Sequence, residues 1–478
     1  MSTSVQLAGP RFHEEIDTAR RFTASALTPG PVQDVLDWLA GYRELEPWQV
    51  ERIAFADLHG WSFASDTGNL GHHTGRFFTV EGLAVDTGHD WVPHWTQPII
   101  NQPEIGVLGI LVKEFDGILH CLMQAKVEPG NCNGFQLSPT VQATRSNFTR
   151  AHGGAEVPYL RLFTEAGRAR PLVDVLQSEQ GSWFYRKRNR NMVVEVREDV
   201  PVLPMFRWLP LGVVLALLRY DNAVNMDART VVSCIPFASP DPRLDENLAD
   251  TALGWSLDQR SGSVHRMSDV VSALTSTKAR HEVFVRGVRL NQVDGWQRTD
   301  DEIAHVQGKH FRLRAYSVTA ASREVSNWTQ PLLEPCADGI VAALMKDIGG
   351  IPHLLMHMRF EAGYVDIAEI APTVQCILGN YDGVPAEERP LFLDYVSTAD
   401  PARIRYDVVQ SEEGGRFFRA RNRYQVIEVG DDFPDTEPQG YRWMTVGQLT
   451  ALLRHSYYVN IQARTIVAAL HGLWLGTG

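Results

Sequence analysis

The sequence predicts an α+β protein built from two tandem repeats, each a mixed β-sheet flanked by helices. Three observations predict it. The stretch QSEQGSWFYRKRNRNMVVEV at 177–196 returns as QSEEGGRFFRARNRYQVIEV at 410–429, and 12 of the 21 residues counted from one position earlier are identical. Apolar runs come in pairs joined by turn dipeptides, as in VLGILVKEFDGILHCLMQAKVE with Asp116-Gly117 at its centre, which is a hairpin pattern. Shorter segments with helical spacing, LPLGVVLALLRY and MTVGQLTALLRH, lie between such runs, so strands and helices alternate irregularly.

The repeat keeps its register over long distances. A shift of 233 brings WTQP at 95–98 onto 328–331, ILHCLMQAKVEPG at 118–130 onto IPHLLMHMRFEAG at 351–363, and PTVQ at 139–142 onto 372–375. Near the end of each unit the shift becomes 235, where VNMDART at 224–230 meets VNIQART at 459–465. Self-similarity of this kind marks duplicated domains. It divides the chain into an N-terminal helical segment (1–47), a first repeat (48–236), a linker with a helix (237–281) and a second repeat (282–478). Pro31 stands at the expected start of the N-terminal helix. The linker opens with the Pro- and Asp-rich FASPDPRLDENLAD and continues into a helix over 270–280. In the second repeat Gly349-Gly350 takes the hairpin turn, and Thr445 with Gln448 forms a capping box.

Composition narrows the function classes. Hydrophobic residues at 44% and charged residues at 21% are ordinary for a globular protein. A net charge of −12 argues against nucleic acid as a partner but leaves room for a local basic pocket. The five cysteines are scattered with no CxxC pair, as expected of reduced thiols in the cytoplasm rather than a metal site. The N-terminus has no apolar signal region, and no apolar run reaches the ~18 residues of a membrane span, so no membrane partner is expected. Gly-rich phosphate loops, GxGxxG, HExxH and GxSxG are all missing, and no cofactor or metal is called for.

Residues kept in both repeats serve the shared fold or a shared ligand. Arg186, Arg188 and Asn189 correspond to Arg419, Arg421 and Asn422. Alternating arginines on one strand face suit a diphosphate, whose oxygens match the guanidinium fork; a solvated strand face, or ion pairs with Glu179 and Glu195, is the other reading. Ser178 and Ser411 meet a ligand or cap a local backbone group. Trp61 and Trp296, each after a glycine, stack on a nucleobase or belong to the core. Where the repeats disagree, chemistry is the stronger reading. ATRSNF at 143–148 faces CILGNY at 376–381, so Thr144, Arg145 and Ser146 are lost while Asn147 and Phe148 correspond to Asn380 and Tyr381. Lys126 becomes Arg359, and Glu128 persists as Glu361.

GHHTGRFFTVEG at 71–82, KVEPGN at 126–131, LSPTVQATRSN at 137–147 and QSEQGSWFYRKRNRN at 177–191 resemble the NDP-hexose 2,3-dehydratase family, and the resemblance extends over nearly the whole chain. It implies two Nudix-like domains, a homodimer and a dTDP-4-keto-6-deoxy-D-glucose substrate, with no redox cofactor. The Nudix glutamate cluster is missing around Glu128 and Glu361, which argues against a nucleotide-sugar hydrolase. A binding protein without chemistry is the other alternative. Dehydration next to a ketone needs a base at C3, a cation at the C4 oxygen and an acid at the C2 oxygen. Glu128 is the candidate base, Lys126 the cation and His72 an acid. Thr144, Arg145, Ser146, Asn147 and Phe148 are expected around the sugar or phosphates, with Arg359, Gln375, Asn380 and Tyr381 in the second, remnant pocket.

Overall fold

A computed structural model describes residues 10–46, 48–88, 93–144, 156–238, 256, 262–320 and 325–475. The apolar pair of runs in the first repeat forms strands Gly106–Phe115 and Ile118–Val127. Asp116 and Gly117 between them both have positive φ (49° and 81°), as do Gly349 and Gly350 (65° and 82°) in the second repeat. This is the left-handed pair that a two-residue hairpin turn requires. Arg188–Glu195 adds to the hairpin in parallel and Arg170–Ser178 pairs with it in turn, giving a seven-stranded mixed sheet. Its counterpart in the second repeat uses Gly339–Ile348, Ile351–Phe360, Arg421–Glu428 and Ile404–Ser411 with the same pairing senses. The helical segments are shorter than their sequence patterns suggest. Each begins with a strand, Phe206–Pro210 or Tyr441–Met444, and only then turns into a helix, Leu211–Leu217 or Val446–Leu452. Thr445 and Gln448 cap the second one reciprocally.

The repeats do not fold as two separate bodies. Trp48–Ile53, at the head of the first repeat, pairs with Phe311–Ala320 of the second. In exchange, Phe284–Val288 of the second repeat pairs with Thr79–Asp86 of the first. The division at 48 and 282 thus falls on two strands that each complete the other repeat's smaller sheet. The N-terminal segment forms two helices, Pro10–Leu27 and Val32–Leu45, with Pro31 one residue ahead of the second. Their Phe22, Val35 and Leu39 are buried in the same core as the first sheet, so this segment is part of the body. The linker helix spans Met267–Arg280.

That core is shared. Val231 and Val232 from helix Met226–Ser233 lie in one cluster with Ile466 and Val467 from helix Ile461–Leu475. Each fully buried aliphatic side chain contributes roughly 1.5–3 kcal/mol. Two buried arginines cross between the repeats at this contact. Arg229 donates to the Ser411 carbonyl (2.6 Å) and to Thr465 Oγ1 (3.2 Å), and Arg464 donates to the Ser178 carbonyl and to Thr230 Oγ1 (2.6 Å). Both side chains are fully buried. Their charges are tolerated there because carbonyls and hydroxyls take the guanidinium protons.

Strand exchange and a shared core make the halves interdependent. Residues 1–250 and 251–478 expressed separately are expected to be insoluble or unfolded by circular dichroism, and to assemble when co-expressed. A cooperative unfolding transition for either half alone would contradict this.

Candidate functional site

The sequence stretch that occurs twice is the seam between the repeats. Gly130 N donates to the Gly414 carbonyl and Arg419 N to the Gly130 carbonyl, both at 2.7 Å. The mirror pair, Gly363 N to Gly181 O and Arg186 N to Gly363 O, has the same lengths. A Cβ on Gly130 would lie 1.6 Å from the Phe417 carbonyl, and one on Gly363 1.7 Å from that of Phe184. The backbones therefore approach at a distance that glycine alone permits. Arg186 and Arg419 both adopt φ of 50° to make this turn.

This places the repeated arginines away from the cavity. Arg186 and Arg419 lie over the neighbouring Tyr185 and Phe418 rings. Arg188 donates to the Arg186 carbonyl, and Arg421 pairs with Asp338. The next pair, Arg190 and Arg423, bonds Asp174 and Asp407. Glu179 and Glu195, the partners weighed from sequence, are taken instead by Asn189 and by Arg21 with Arg170. The cause is strand alternation: Arg188 and Arg190 lie on the outer side, while Asn189 and Asn191, which alternate with them, are buried. Ser178 and Ser411 are buried and reach across the seam to Glu369 (2.6 Å) and Gln136 (2.9 Å). Asn422 donates to Glu412 at 2.6 Å, as Asn189 donates to Glu179 at 2.7 Å.

Beside the seam lies a cavity of about 730 Å³, large enough for a nucleotide-sized ligand. Of the residues singled out from sequence, Trp61, His72, Lys126, Glu128, Thr144 and Asn189 line it. Arg145, Ser146, Asn147 and Phe148 fall outside the described residues. Lys126 and Glu128 are both buried at the end of strand Ile118–Val127. Gln142, from the repeated PTVQ, ties them together: its carbonyl accepts from Lys126 Nζ (3.3 Å) and its amide donates to Glu128 Oε1 (2.7 Å). Asn225 holds Gln142 from behind at 3.1 Å. At the other end Trp61 stacks edge-on against His72, with ring centres 5.3 Å apart, and Phe77 and Phe78 complete an aromatic wall. His72 Nδ1 is hydrogen-bonded to Thr74 Oγ1 at 2.8 Å.

Several lining residues escaped the sequence reading because they come from the other repeat or from positions that read as fold. Glu413, Gly415 and Arg416 belong to the second repeat, and Asp227, Glu179 and Lys187 to the first. Arg416 lies over the Phe78 ring and donates to Gln102 Oε1. Burial, then the Glu128 carboxylate, pushes Glu413 up to about 7. Asp227 is raised well above its ordinary value by the same two causes, with Glu179 and Glu413 adding to them. Burial lowers Lys187 to about 8. A signal did exist in sequence: QSEQ against QSEE, and MDART against IQART, each show a carboxyl in one repeat and an amide in the other.

The matching region of the second repeat is closed by its own side chains. Arg359 Nε and Gln375 Nε2 both donate to Glu361 Oε1 (3.0 and 2.9 Å), and Ser182 N donates to Oε2 (3.1 Å). Tyr364 stands buried where the first repeat has Asn131. Asn380 is occupied by Lys309 and His310 N, Tyr381 packs on a neighbouring core cluster, and Trp296 packs on His305 and Phe311.

A site of two lysines, an arginine, three buried acids and the half-buried Glu413 against an aromatic wall is suited to acid–base work on a polar, anionic ligand with a flat base. The comparisons agree. The model of the NDP-hexose 2,3-dehydratase family matches residues 32–235 and 267–470, one match per repeat. The chain belongs to this family. It is 55% identical to a dTDP-4-dehydro-6-deoxy-alpha-D-glucopyranose 2,3-dehydratase of Saccharopolyspora spinosa, over 96% of each chain. Enzymes of the same name from Amycolatopsis orientalis and Streptomyces violaceoruber are 48% and 45% identical, over 98% and 91% of this chain and 96% of each relative.

The acid cluster costs stability. With a folded pKa near 7 against an ordinary 4.5, Glu413 leaves stability intact below pH 4.5. About 3 kcal/mol is then lost as pH rises through 7. Glu413→Gln removes that loss, so its gain in Tm over the wild type is expected to be larger at pH 8 than at pH 5. Equal gains at both pH values would show that Glu413 ionises as it does in the unfolded chain.

Proposed function

We propose that the chain dehydrates a dTDP-4-keto-6-deoxy-D-glucose at C2 and C3, in the cavity beside Lys126 and Glu128. The observation that carries this is the convergence of Lys126, Gln142 and Glu128 on one cavity, in a chain close to half identical or more to three enzymes with that activity. The C4 ketone acidifies H3. Glu128 removes it, and Lys126 stabilises the enolate oxygen at C4, which is where electrostatic assistance is worth most. Collapse of the enolate expels the C2 hydroxyl, and the enol left at C3 tautomerises to a 3,4-diketo-2,6-dideoxy sugar. The aromatic wall of Trp61, His72 and Phe77 suits the thymine, and Arg416 the diphosphate. The closed Arg359–Glu361 arrangement supports reading the second pocket as a remnant.

The mixed sheet that each repeat builds supports a Nudix-like ancestry. No described helix is long and apolar enough to cross a membrane. We expect a homodimer acting in the cytoplasm, with sedimentation velocity reading the dimer.

The direct test is incubation with the keto sugar, following loss of water by mass spectrometry and trapping the diketone. Glu128→Gln is expected to lower kcat by ~10²–10⁴, while Glu361→Gln stays within about threefold of the wild type. Equal losses in both variants, or none in the first, would remove Glu128 from the reaction. Release of a nucleoside monophosphate in place of water would indicate a hydrolase.

A further inference from the structure

We propose that Glu413, a residue of the second repeat, is the acid that protonates the C2 hydroxyl as it leaves in the pocket of the first. The inference rests on the dehydratase function proposed above and supplies the group that function lacks.

Geometry carries it. Glu413 lines the same cavity as Lys126 and Glu128. Gly415 N holds its Oε1 at 3.0 Å, and its Oε2 is buried with no hydrogen-bond partner among the described residues. Gly415 also abuts Glu128: a Cβ there would lie 3.5 Å from Glu128 Oε1. The two carboxyls are therefore neighbours, as the reaction demands, because H3 and the C2 oxygen sit on adjacent carbons.

The duplication supplies an internal control. At the position equivalent to Glu413 the other pocket has Gln180, whose amide is engaged by Glu412 Oε2 (2.7 Å) and the Met226 sulfur (2.9 Å). Glu128, by contrast, keeps its equivalent, Glu361. The pocket closed by its own side chains therefore retains the base and lacks the acid. His72 is the weaker candidate, its Nδ1 being hydrogen-bonded to Thr74 within the aromatic wall. Asp227, also an amide (Gln462) in the second repeat, has Lys126 as the cation acting on it, which places it with the C4-oxygen group.

Two carboxyls sharing a buried site divide into one ionised and one protonated. Burial and the Glu128 charge, opposed by Arg416 and reinforced by Glu179, hold Glu413 as the protonated member near neutrality. The proton count closes. Glu128 takes H3 and leaves an enolate. As the enolate collapses, the C4 carbonyl reforms, a C2–C3 double bond is built and the C2–O bond breaks, and Glu413 gives its proton to that oxygen to release water. The O3 proton then passes to Glu413 and the proton on Glu128 to C2, so both carboxyls end as they began.

The test separates the two proton transfers. In D2O, with dTDP-4-keto-6-deoxyglucose, Glu413→Gln is expected to lose dehydration by about a hundredfold or more in kcat while still exchanging H3 for deuterium. Glu128→Gln is expected to lose both. Glu413→Met, of similar length, should behave as Glu413→Gln does, and dTDP binding by calorimetry checks that each variant is folded. Dehydration by Glu413→Gln within about threefold of the wild type would overturn the proposal. So would parallel loss of exchange and dehydration, which would put Glu413 at C3. A wild-type chain that neither exchanges nor dehydrates would overturn the dehydratase function itself, and this role with it.

Discussion

The structure depends on the crossing of backbone between the repeats at Gly130 and Gly363. Two loops meet there at a separation that admits no side chain, and four backbone hydrogen bonds of equal length close the contact. Everything functional is referenced to this seam. It turns the QSEEGG loop so that Glu413 and Arg416 face a cavity that Lys126, Glu128 and the aromatic wall line from the first repeat and Trp328, Thr329 and Gln330 from the second. It also brings Ser178 and Ser411 to where Arg464 and Arg229 can reach their carbonyls. The strand exchange and the shared helical core then make the contact permanent, because neither repeat retains its smaller sheet complete without the other.

Within that frame the site is held by a short chain of amides. Asn225 fixes Gln142, and Gln142 fixes both Lys126 and Glu128. The second repeat keeps the same chain as Asn460, Gln375, Arg359 and Glu361. What differs is the load on the carboxylate. Glu361 accepts from Arg359, Gln375 and Ser182 N, while Glu128 accepts from Gln142. The same scaffold thus holds its two glutamates in different hydrogen-bonding surroundings.

The duplication, the hairpins with their left-handed turns and the capping box were legible in the sequence because they rest on local periodicity and turn chemistry. Lys126, Glu128, Trp61 and His72 were legible as lining residues because they stand on or beside regular strands. The arginines stayed open between a ligand and a solvated face because alternation gives a face but not which face is buried, and here the asparagines point inward. Asp227 was missed because its helix, Met226–Ser233, reads as fold, and Glu413 for a different reason. Comparing the repeats as self-contained units credits each residue to its own pocket, but the strands and loops are exchanged, so a change in one repeat alters the chemistry of the other. No local pattern reports such an exchange; it is fixed by contacts between residues more than two hundred positions apart.

The exchange has a consequence for how such a protein can evolve. In a side-by-side duplication either copy can drift while the other is preserved. Here the reactive pocket takes Lys126 and Glu128 from one half of the coding sequence and Glu413 from the other, and the closed pocket takes Gln180 in return. Neither half is the spare copy. A change on either side of the duplication therefore reaches a cavity that both halves build. The halves are inherited as a lock with two keys, each cut partly in the other's pattern.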